Sequence, residues 1–388
     1  MLLIGTLLAI GLVVIYSISP ILSQELAADE SRNYFFYNQL VHVSVGLAAF
    51  FGALMLPLKW WKRVLPWLGA LAIGLMVLMF VPGLGIAEGG ATRWINLGVT
   101  TFQPAELVKL SVIIAAAVWF ASLSERERGD YKYTLIPVMG VLALLAGFVL
   151  LHQRDLGSML VITAIVTAIF FVSGVKWRYV LSLVGASAGA AVLSVILFPH
   201  RMERLQTFFS PEQGLGESGY HLHQALIAVG SGGLFGLGPG ESVQVHGYLP
   251  EAANDSVFAI IAESFGLLGA LFVVGLFALL LYRCFVIAAR LEQPFARYLV
   301  VGVAAWIGTQ AAVNIMAMLG VIPLTGIPLP FISYGGSSMI LLLVAMGIVT
   351  HISQYTLRGA HEDSRQRRRQ RRTHHAHFGG RPSSQAAR

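Results

Sequence analysis

Hydrophobic residues along this chain gather into ten long blocks separated by short polar stretches: Leu2–Ile18, Leu40–Leu58, Val64–Val81, Pro104–Leu123, Leu135–Leu151, Leu156–Val172, Tyr179–Phe198, Val257–Tyr282, Tyr298–Leu319 and Met339–Tyr355. A helix needs roughly 17–25 residues to cross a hydrocarbon core, and each block is long enough or nearly so. The pattern predicts an all-α, polytopic integral membrane protein with about ten transmembrane helices. The seventh and eighth blocks are separated by His200–Asn254, roughly 55 residues and far beyond the usual connection length. The first block lacks a basic n-region and a small-residue cleavage site, so it reads as an anchor rather than a removable signal. No internal repeat stands out, which weighs against transporter folds built from symmetric halves.

Composition agrees with this class. The chain is 56% hydrophobic and only 12% charged, with a mean hydropathy of +0.73, whereas soluble domains carry roughly a quarter charged residues. Its net charge of +7 is local: from Arg358 onward nine arginines face Glu362 and Asp363, and the rest balances at 17 basic to 17 acidic. The chain therefore divides into a transmembrane domain, 1–357, and a basic tail, 358–388. The tail holds Arg365, Arg367, Arg368, Arg369, Arg371 and Arg372, then His374, His375 and His377. Such a run is expected to be disordered and to contact anionic membrane lipids, at about 1 kcal/mol per basic residue. No aromatic interleaving or folded module points to nucleic acid. A single cysteine, Cys284, excludes an intramolecular disulfide.

Loop charges orient the spans. Alternate connections carry Lys59, Lys62 and Arg63; Arg126, Arg128 and Lys132; Lys176 and Arg178; and Arg283, Arg290 and Arg297. The opposite set holds Arg32, Arg93, Arg154, Arg201 and Arg204. By the positive-inside rule the first set is cytoplasmic, with both termini, and the long loop, 199–256, faces outward.

Candidate chemistry collects on the outward side. Asp255 stands directly before the eighth block, and a carboxylate at the mouth of a membrane helix is costly to desolvate, which argues for a function. Asp is also a common helix cap, so both readings stand at this point. Upstream, Gly219–Ala228 has the pattern of a short amphipathic helix, and the glycine-rich Gly230–Gly240 follows it. Glycines permit tight turns and close backbone approach, to a ligand or simply within the loop. Glu106 and Lys109 open the fourth block three residues apart, hence on one helix face, and intramembrane charges usually find partners. The alternative is that Lys109 snorkels outward. Arg93-Trp94 pairs a cation with an interfacial aromatic, and Asp155 places a second carboxylate outside.

These segments carry a resemblance. Arg93-Trp94, Gln103-Pro104-Ala105-Glu106-Leu107-Val108-Lys109, Asp155-Leu156-Gly157, Tyr248-Leu249-Pro250-Glu251-Ala252 through Asp255, and Pro328-Leu329-Pro330-Phe331-Ile332-Ser333-Tyr334-Gly335-Gly336-Ser337-Ser338 occur here in the order seen in the SEDS family. That family comprises FtsW, RodA and sporulation relatives, which are ten-span peptidoglycan glycosyltransferases. The match covers the chain except its tail, and Ala252 after Pro-Glu is similar to the FtsW branch. The sequence departs at Ala253-Asn254, where the family usually has His-Thr; at Ser256, commonly aromatic; at Glu263-Ser264, usually two glutamates; and at Gln153-Arg154 before Asp155, where Glu-Pro or Gln-Pro is usual.

The resemblance implies polymerisation of lipid II, the undecaprenyl-pyrophosphate-linked disaccharide peptide, with inversion at the anomeric carbon. It implies Asp255 as general base, and Arg93, Glu106, Lys109, Asp155, Arg201, Arg204, Gln224, Glu251, Ser333 and Tyr334 as substrate-binding residues. No metal site or cofactor is evident, though a divalent cation (Mg or Mn) could assist the leaving pyrophosphate. The implied partner is a class B penicillin-binding protein transpeptidase, and the implied location is the bacterial cell membrane at the division septum. Two alternatives are a lipid II flippase, which would spread charge along a path through the bilayer, and a non-catalytic scaffold recruiting a transpeptidase.

Overall fold

The computed structural model describes residues 1–26, 32–81, 83–88, 91–96, 98, 101–209 and 217–354. The basic tail, Arg358–Arg388, lies outside the described residues. In a bilayer every backbone polar group must be satisfied internally, so apolar runs fold as helices. The described helices are α1 (Leu2–Leu26), α2 (Tyr34–Met55), α3 (Leu58–Leu78), α4 (Pro104–Ser122), the short α5 (Glu125–Arg128), α6 (Leu135–Ala146), α7 (Leu156–Val172), α8 (Trp177–Leu197), α9 (Pro199–Phe209), α10 (Glu217–Ser231), α11 (Val257–Ala289) and α12 (Pro294–Met318), followed by α13 (Gly336–Gln354). Eight are long and apolar enough to span a membrane, and the shorter apolar helices Leu135–Leu150 and Leu156–Val172 bring the number to ten.

The core is built around α12, which packs against α4, α7 and α11. Some 67% of its apolar stretch lies buried among other helices, against 17% for α3 and α8, which stand at the periphery. Exposed side chains there are large and apolar, such as Trp67, Leu71, Leu193 and Ile196, as a lipid-facing surface requires. The basic connections gather at one end of the bundle. Lys62 lies 4.5 Å over the Phe295 ring, and the Tyr179 hydroxyl donates to the Gly129 carbonyl at 3.1 Å.

The structure adds to the all-α expectation in three places. A small antiparallel sheet, β1 (Gly85–Glu88), β2 (Ala91–Asn96) and β3 (Thr101–Phe102), covers the connection between α3 and α4. The long connection between the seventh and eighth blocks forms α9 as well as α10, the latter covering the amphipathic helix expected over Gly219–Ala228. The eighth block is not one continuous helix to Tyr282. It runs to Ala289 and breaks at Gly266, where φ is 67° and ψ is −168°.

That break has an identifiable cause. Leu237 and Gly238 N–H donate to the Glu263 and Ser264 carbonyls at 2.9 and 3.0 Å, and Leu267 and Leu268 N–H donate to Gly233 and Leu234 at 2.9 and 3.2 Å. The glycine-rich strand thus satisfies the backbone groups that the helix abandons, the condition for irregular backbone inside a membrane protein. The Glu263 carboxylate completes the joint, accepting from Ser242 Oγ, Val243 N (3.0 Å) and Gln244 N (3.3 Å). A side chain at Gly236 would collide with the Ser264 carbonyl, and one at Gly266 with Gly236 and Leu234. Gly266→Ala is therefore expected to cost at least about 2–3 kcal/mol through positive-φ strain plus the clash. Gly275→Ala, in the same helix with open space around it, should be near neutral. Thermal melts of the two detergent-solubilised variants check this, and equal melting temperatures would refute it.

Candidate active site

Four segments meet around Asp255 at the end of the bundle away from the basic connections. The first is Glu251–Ser256 itself. Glu251 holds a left-handed φ of 51°, which turns the chain tightly enough for Ser256 N to donate back to the Glu251 carbonyl at 3.2 Å. The second is α12, whose Asn314 Nδ2 donates to the Asp255 carbonyl at 2.6 Å and to the Ile327 carbonyl at 2.7 Å. The third is the turn after α12, where a methyl group on Gly326 would sit 3.8 Å from Asp255 Oδ2. The fourth is α10, where His221 Nε2 lies 2.6 Å from Ser256 Oγ.

Asp255 does not cap α11. The N-cap position falls on Ser256 and makes no side-chain cap hydrogen bond. The Asp255 side chain is instead 9% exposed, and its Oδ1 has no hydrogen-bond partner. Burial pushes its carboxyl up from 3.8 to about 7, and Glu251 pushes in the same direction. Its own backbone N–H, Arg204 and the Ser256 hydroxyl pull the other way. A buried carboxylate with a free oxygen and an affinity for protons near neutrality is suited to general-base work.

Asp155 does the capping that Asp255 does not. As N-cap of α7 it accepts from Ser158 N at 2.8 Å and Ser158 Oγ at 2.6 Å, and Gln103 Nε2 donates to it at 3.4 Å. A π-turn at Gly147–His152 and a left-handed Arg154 (φ 51°) deliver it there. Strained backbone of this kind clusters at functional sites. Strand β2 brings Arg93, which donates to the Gln153 and Arg154 carbonyls, each at 3.2 Å. Arg201 on α9 donates to the Leu150 carbonyl at 3.2 Å through Nη2, while its buried Nη1 has no partner. Burial lowers its pKa. Asp155 supports its charge, and Arg93, Arg204 and Arg154 oppose it.

This arginine cluster joins the Asp255 pocket. Arg204 Nη1 donates to the Leu324 carbonyl at 3.4 Å and acts electrostatically on Asp255, His221 and Arg201. A methyl on Gly157 would meet the Thr325 carbonyl at 3.2 Å, so the start of α7 abuts the same turn that faces Asp255.

Glu106 and Lys109 form the intramembrane pair, at 2.7 Å and with 2% and 1% of their side chains exposed. Lys109 Nζ also lies 5.5 Å from the Trp306 ring centroid. Trp306, Gln310 and Asn314, all buried, recur every four residues on α12. One helix face thus runs roughly 12 Å from the pair up to Asp255, at 1.5 Å per residue. Ser333 and Tyr334 occupy a bracing segment. Ser333 Oγ accepts from Leu329 N at 2.8 Å, and Tyr334 N donates to the Ala253 carbonyl at 2.8 Å. Gln224 is half-buried on α10, and the Glu251 carboxylate accepts from Asn254 Nδ2.

Among the described residues, no group of three or more His, Cys, Asp or Glu side chains is placed to hold a metal ion. Residues that sequence reading passed over are His221, Gln310 and Asn314. The two polar side chains four apart in an otherwise apolar span were a visible signal. His221 was visible only as a polar residue in an amphipathic helix.

The FTSW_RODA_SPOVE family model, described as a cell cycle protein, matches residues 1–358. The chain belongs to the FtsW/RodA/SpoVE family. Members similar to it include the probable peptidoglycan glycosyltransferase FtsW of Coxiella burnetii, 38% identical over 358 residues and covering 90% of this chain and 94% of that one. The corresponding FtsW of Nitrosomonas europaea is 36% identical over 349 residues, 89% of each chain. The crystal structure of the rod shape determining protein RodA from Thermus thermophilus matches with a TM-score of 0.65 and 28% identity over 91% of this chain and 95% of that one. A chain from a peptidoglycan synthase complex, studied for its coordination of polymerization and crosslinking, matches with a TM-score of 0.73 and 28% identity over 92% and 96%. Both solved chains match over nearly the whole length of this one, so the fold is shared throughout.

Proposed function

We propose that this chain is a peptidoglycan glycosyltransferase of the FtsW type, polymerising lipid II with Asp255 as general base. The observation that carries the reading is the Asp255 carboxyl: buried, with a free Oδ1 and a pKa of about 7, beside a cluster of arginines. The acceptor sugar's hydroxyl gives its proton to Asp255 as its oxygen attacks the donor's anomeric carbon. The bond to the pyrophosphate oxygen breaks with both electrons leaving on that oxygen, and the configuration inverts.

The departing pyrophosphate gains negative charge and needs preorganised cations. Among the charges that act on Arg201 only Asp155 is negative, and that carboxylate is already engaged by Ser158. We assign Arg201, Arg93 and Arg204 to the pyrophosphate. A divalent cation, where one takes part, would arrive on the pyrophosphate oxygens as part of the substrate. The Glu106–Lys109 pair and the polar face of α12 support Asp255 from below.

The same reading places the protein in the bacterial cell membrane at the septum, with its termini and basic connections cytoplasmic. It gives the protein a class B penicillin-binding protein as the partner that crosslinks its product. The test is to incubate purified protein with lipid II and a cognate transpeptidase and to resolve glycan strands on a gel. Strands longer than the donor disaccharide are expected. Transbilayer movement of lipid II without any polymer would overturn the reading.

A further inference from the structure

Glu263 stands in the eighth apolar block, about one turn before the break at Gly266, and is fully buried. A carboxyl group there is costly to desolvate unless its oxygens are occupied. One segment occupies them. Oε1 accepts from Val243 N at 3.0 Å and from Gln244 N at 3.3 Å, and Oε2 accepts from Ser242 Oγ. Ser242 and Gln244 are themselves buried, and buried backbone N–H groups need an acceptor. The Glu263 side chain therefore closes a loop whose ends lie 21 residues apart. Asp255 is carried inside that loop.

A chain of hydrogen bonds leads from this joint to the Asp255 segment. The Gln244 carbonyl accepts from Leu249 N at 2.9 Å, with Gly247 turning the chain between them at a φ of 75°. Leu249 is buried and is followed by Pro250, whose carbonyl accepts from Ser256 Oγ at 2.8 Å. The Glu251 carbonyl accepts from Asn254 N at 2.9 Å and from Ser256 N at 3.2 Å. The Asp255 segment is thus held from two sides. Asn314 and Tyr334 fix its backbone from the body of the bundle, and Glu263 fixes the strand that approaches it. The three arginines assigned to the pyrophosphate are bonded elsewhere: Arg93 to Gln153 and Arg154, Arg201 to Leu150, and Arg204 to Leu324.

We propose that Glu263 is a positioning residue for the reaction, closing the loop that carries Asp255 and so setting where that carboxylate stands relative to the arginines. The inference rests on Asp255 being the general base. It accounts for a carboxyl group deep in an apolar block whose three hydrogen bonds all go to one uncharged segment. Rate is steep in the placement of a catalytic group, and a displacement of about 1 Å can cost about 10²-fold. Substrate affinity should be indifferent to Glu263, because the arginines do not hang on this loop.

The test reads the loop and the rate separately. In protein reconstituted in nanodiscs, amide hydrogen exchange follows the peptides over 242–256, and lipid II polymerisation gives kcat and KM. Glu263→Leu is expected to speed exchange at Val243, Gln244 and Leu249 by about tenfold or more. It should lower kcat by about 10²-fold and leave KM within about twofold. Glu263→Gln keeps a carbonyl oxygen that accepts from Val243 and Gln244, and should restore protection and most of the rate. Ser264→Ala, which removes the neighbouring buried hydroxyl that has no partner, should change neither. A folded Glu263→Leu protein with wild-type exchange or wild-type kcat would overturn the proposal. So would a loss carried in KM, or a Glu263→Gln protein as impaired as Glu263→Leu. Should Glu263→Leu not fold, Ser242→Ala decides, since it removes one of the three donors. Faster exchange at Val243 and Gln244 with a several-fold lower kcat is expected there, and no change in either one overturns the proposal. Asp255→Asn in the same assay separates the two claims. If it polymerises, the general-base reading fails; if it is inactive while a loosened loop keeps the wild-type rate, only the positioning role fails.

Discussion

Asp255→Asn is expected to abolish lipid II polymerisation, by roughly 10²–10⁴-fold or more, while leaving the protein folded. Asn is nearly isosteric, and the contacts that fix this backbone, from Asn314 to the Asp255 carbonyl and from Tyr334 to Ala253, do not involve the side chain. What is lost is the capacity to accept a proton. Stability should move in the opposite direction. The carboxyl titrates at about 7 in the folded protein against 3.8 when free, so the folded state binds its proton more tightly. The contribution of this group to wild-type stability is then fully present below about pH 4 and is lost as pH rises through about 7. Asn removes that penalty, so above pH 7 the variant should melt higher than wild type, by roughly 1–4 kcal/mol of stability. In the wild type, activity should climb as pH rises through about 7, since only the ionised form is a base. An active, well-folded Asp255→Asn protein would move the assignment to Asp155 or Glu251.

Much of this arrangement was legible in the chain because membrane helices write themselves as apolar runs. The ten blocks correspond to ten helices, and Glu106 and Lys109, three residues apart, do meet. Elements held by distant partners were not legible. Phe265 and Leu267 flank Gly266 inside the apolar block Val257–Tyr282, where Glu263-Ser264 gave no sign of a break, and the break is stabilised by the hydrogen bonds that Gly233–Gly238 supplies. The sheet over 85–102 is made of strands of two to six residues, too short for alternation to register. Only Asp255 was read with a capping role open, yet the capping aspartate is Asp155. Asp155 was followed three residues on by Ser158, a local signal for a cap, whereas the setting of Asp255 depends on Asn314, Gly326 and Arg204, each far away in sequence. Ser256 could be seen as a departure, but its partner His221 lies 35 residues upstream.

The second large effect is expected at the buried ion pair. Lys109→Met leaves Glu106 as an uncompensated charge with almost no access to solvent, and Glu106→Gln does the same to Lys109. Breaking a buried pair from one side typically costs about 3–5 kcal/mol, whereas replacing both partners with neutral groups is often close to neutral. Each single variant should therefore accumulate poorly and melt well below wild type. The double variant Glu106→Gln/Lys109→Met should recover most of the loss, a coupling of roughly 2 kcal/mol or more in a double-mutant cycle. The packing around the pair favours this outcome. Lys109 is also covered by the Trp306 ring, so methionine finds an apolar surface there, and Glu106 Oε2 already lacks a partner, so glutamine forfeits little beyond the ionic contact. Thermal melts of the four proteins in one detergent give the cycle directly. Additive losses would mean that each charge is stabilised independently, and the link from this pair along Trp306, Gln310 and Asn314 to Asp255 would then lose its foundation.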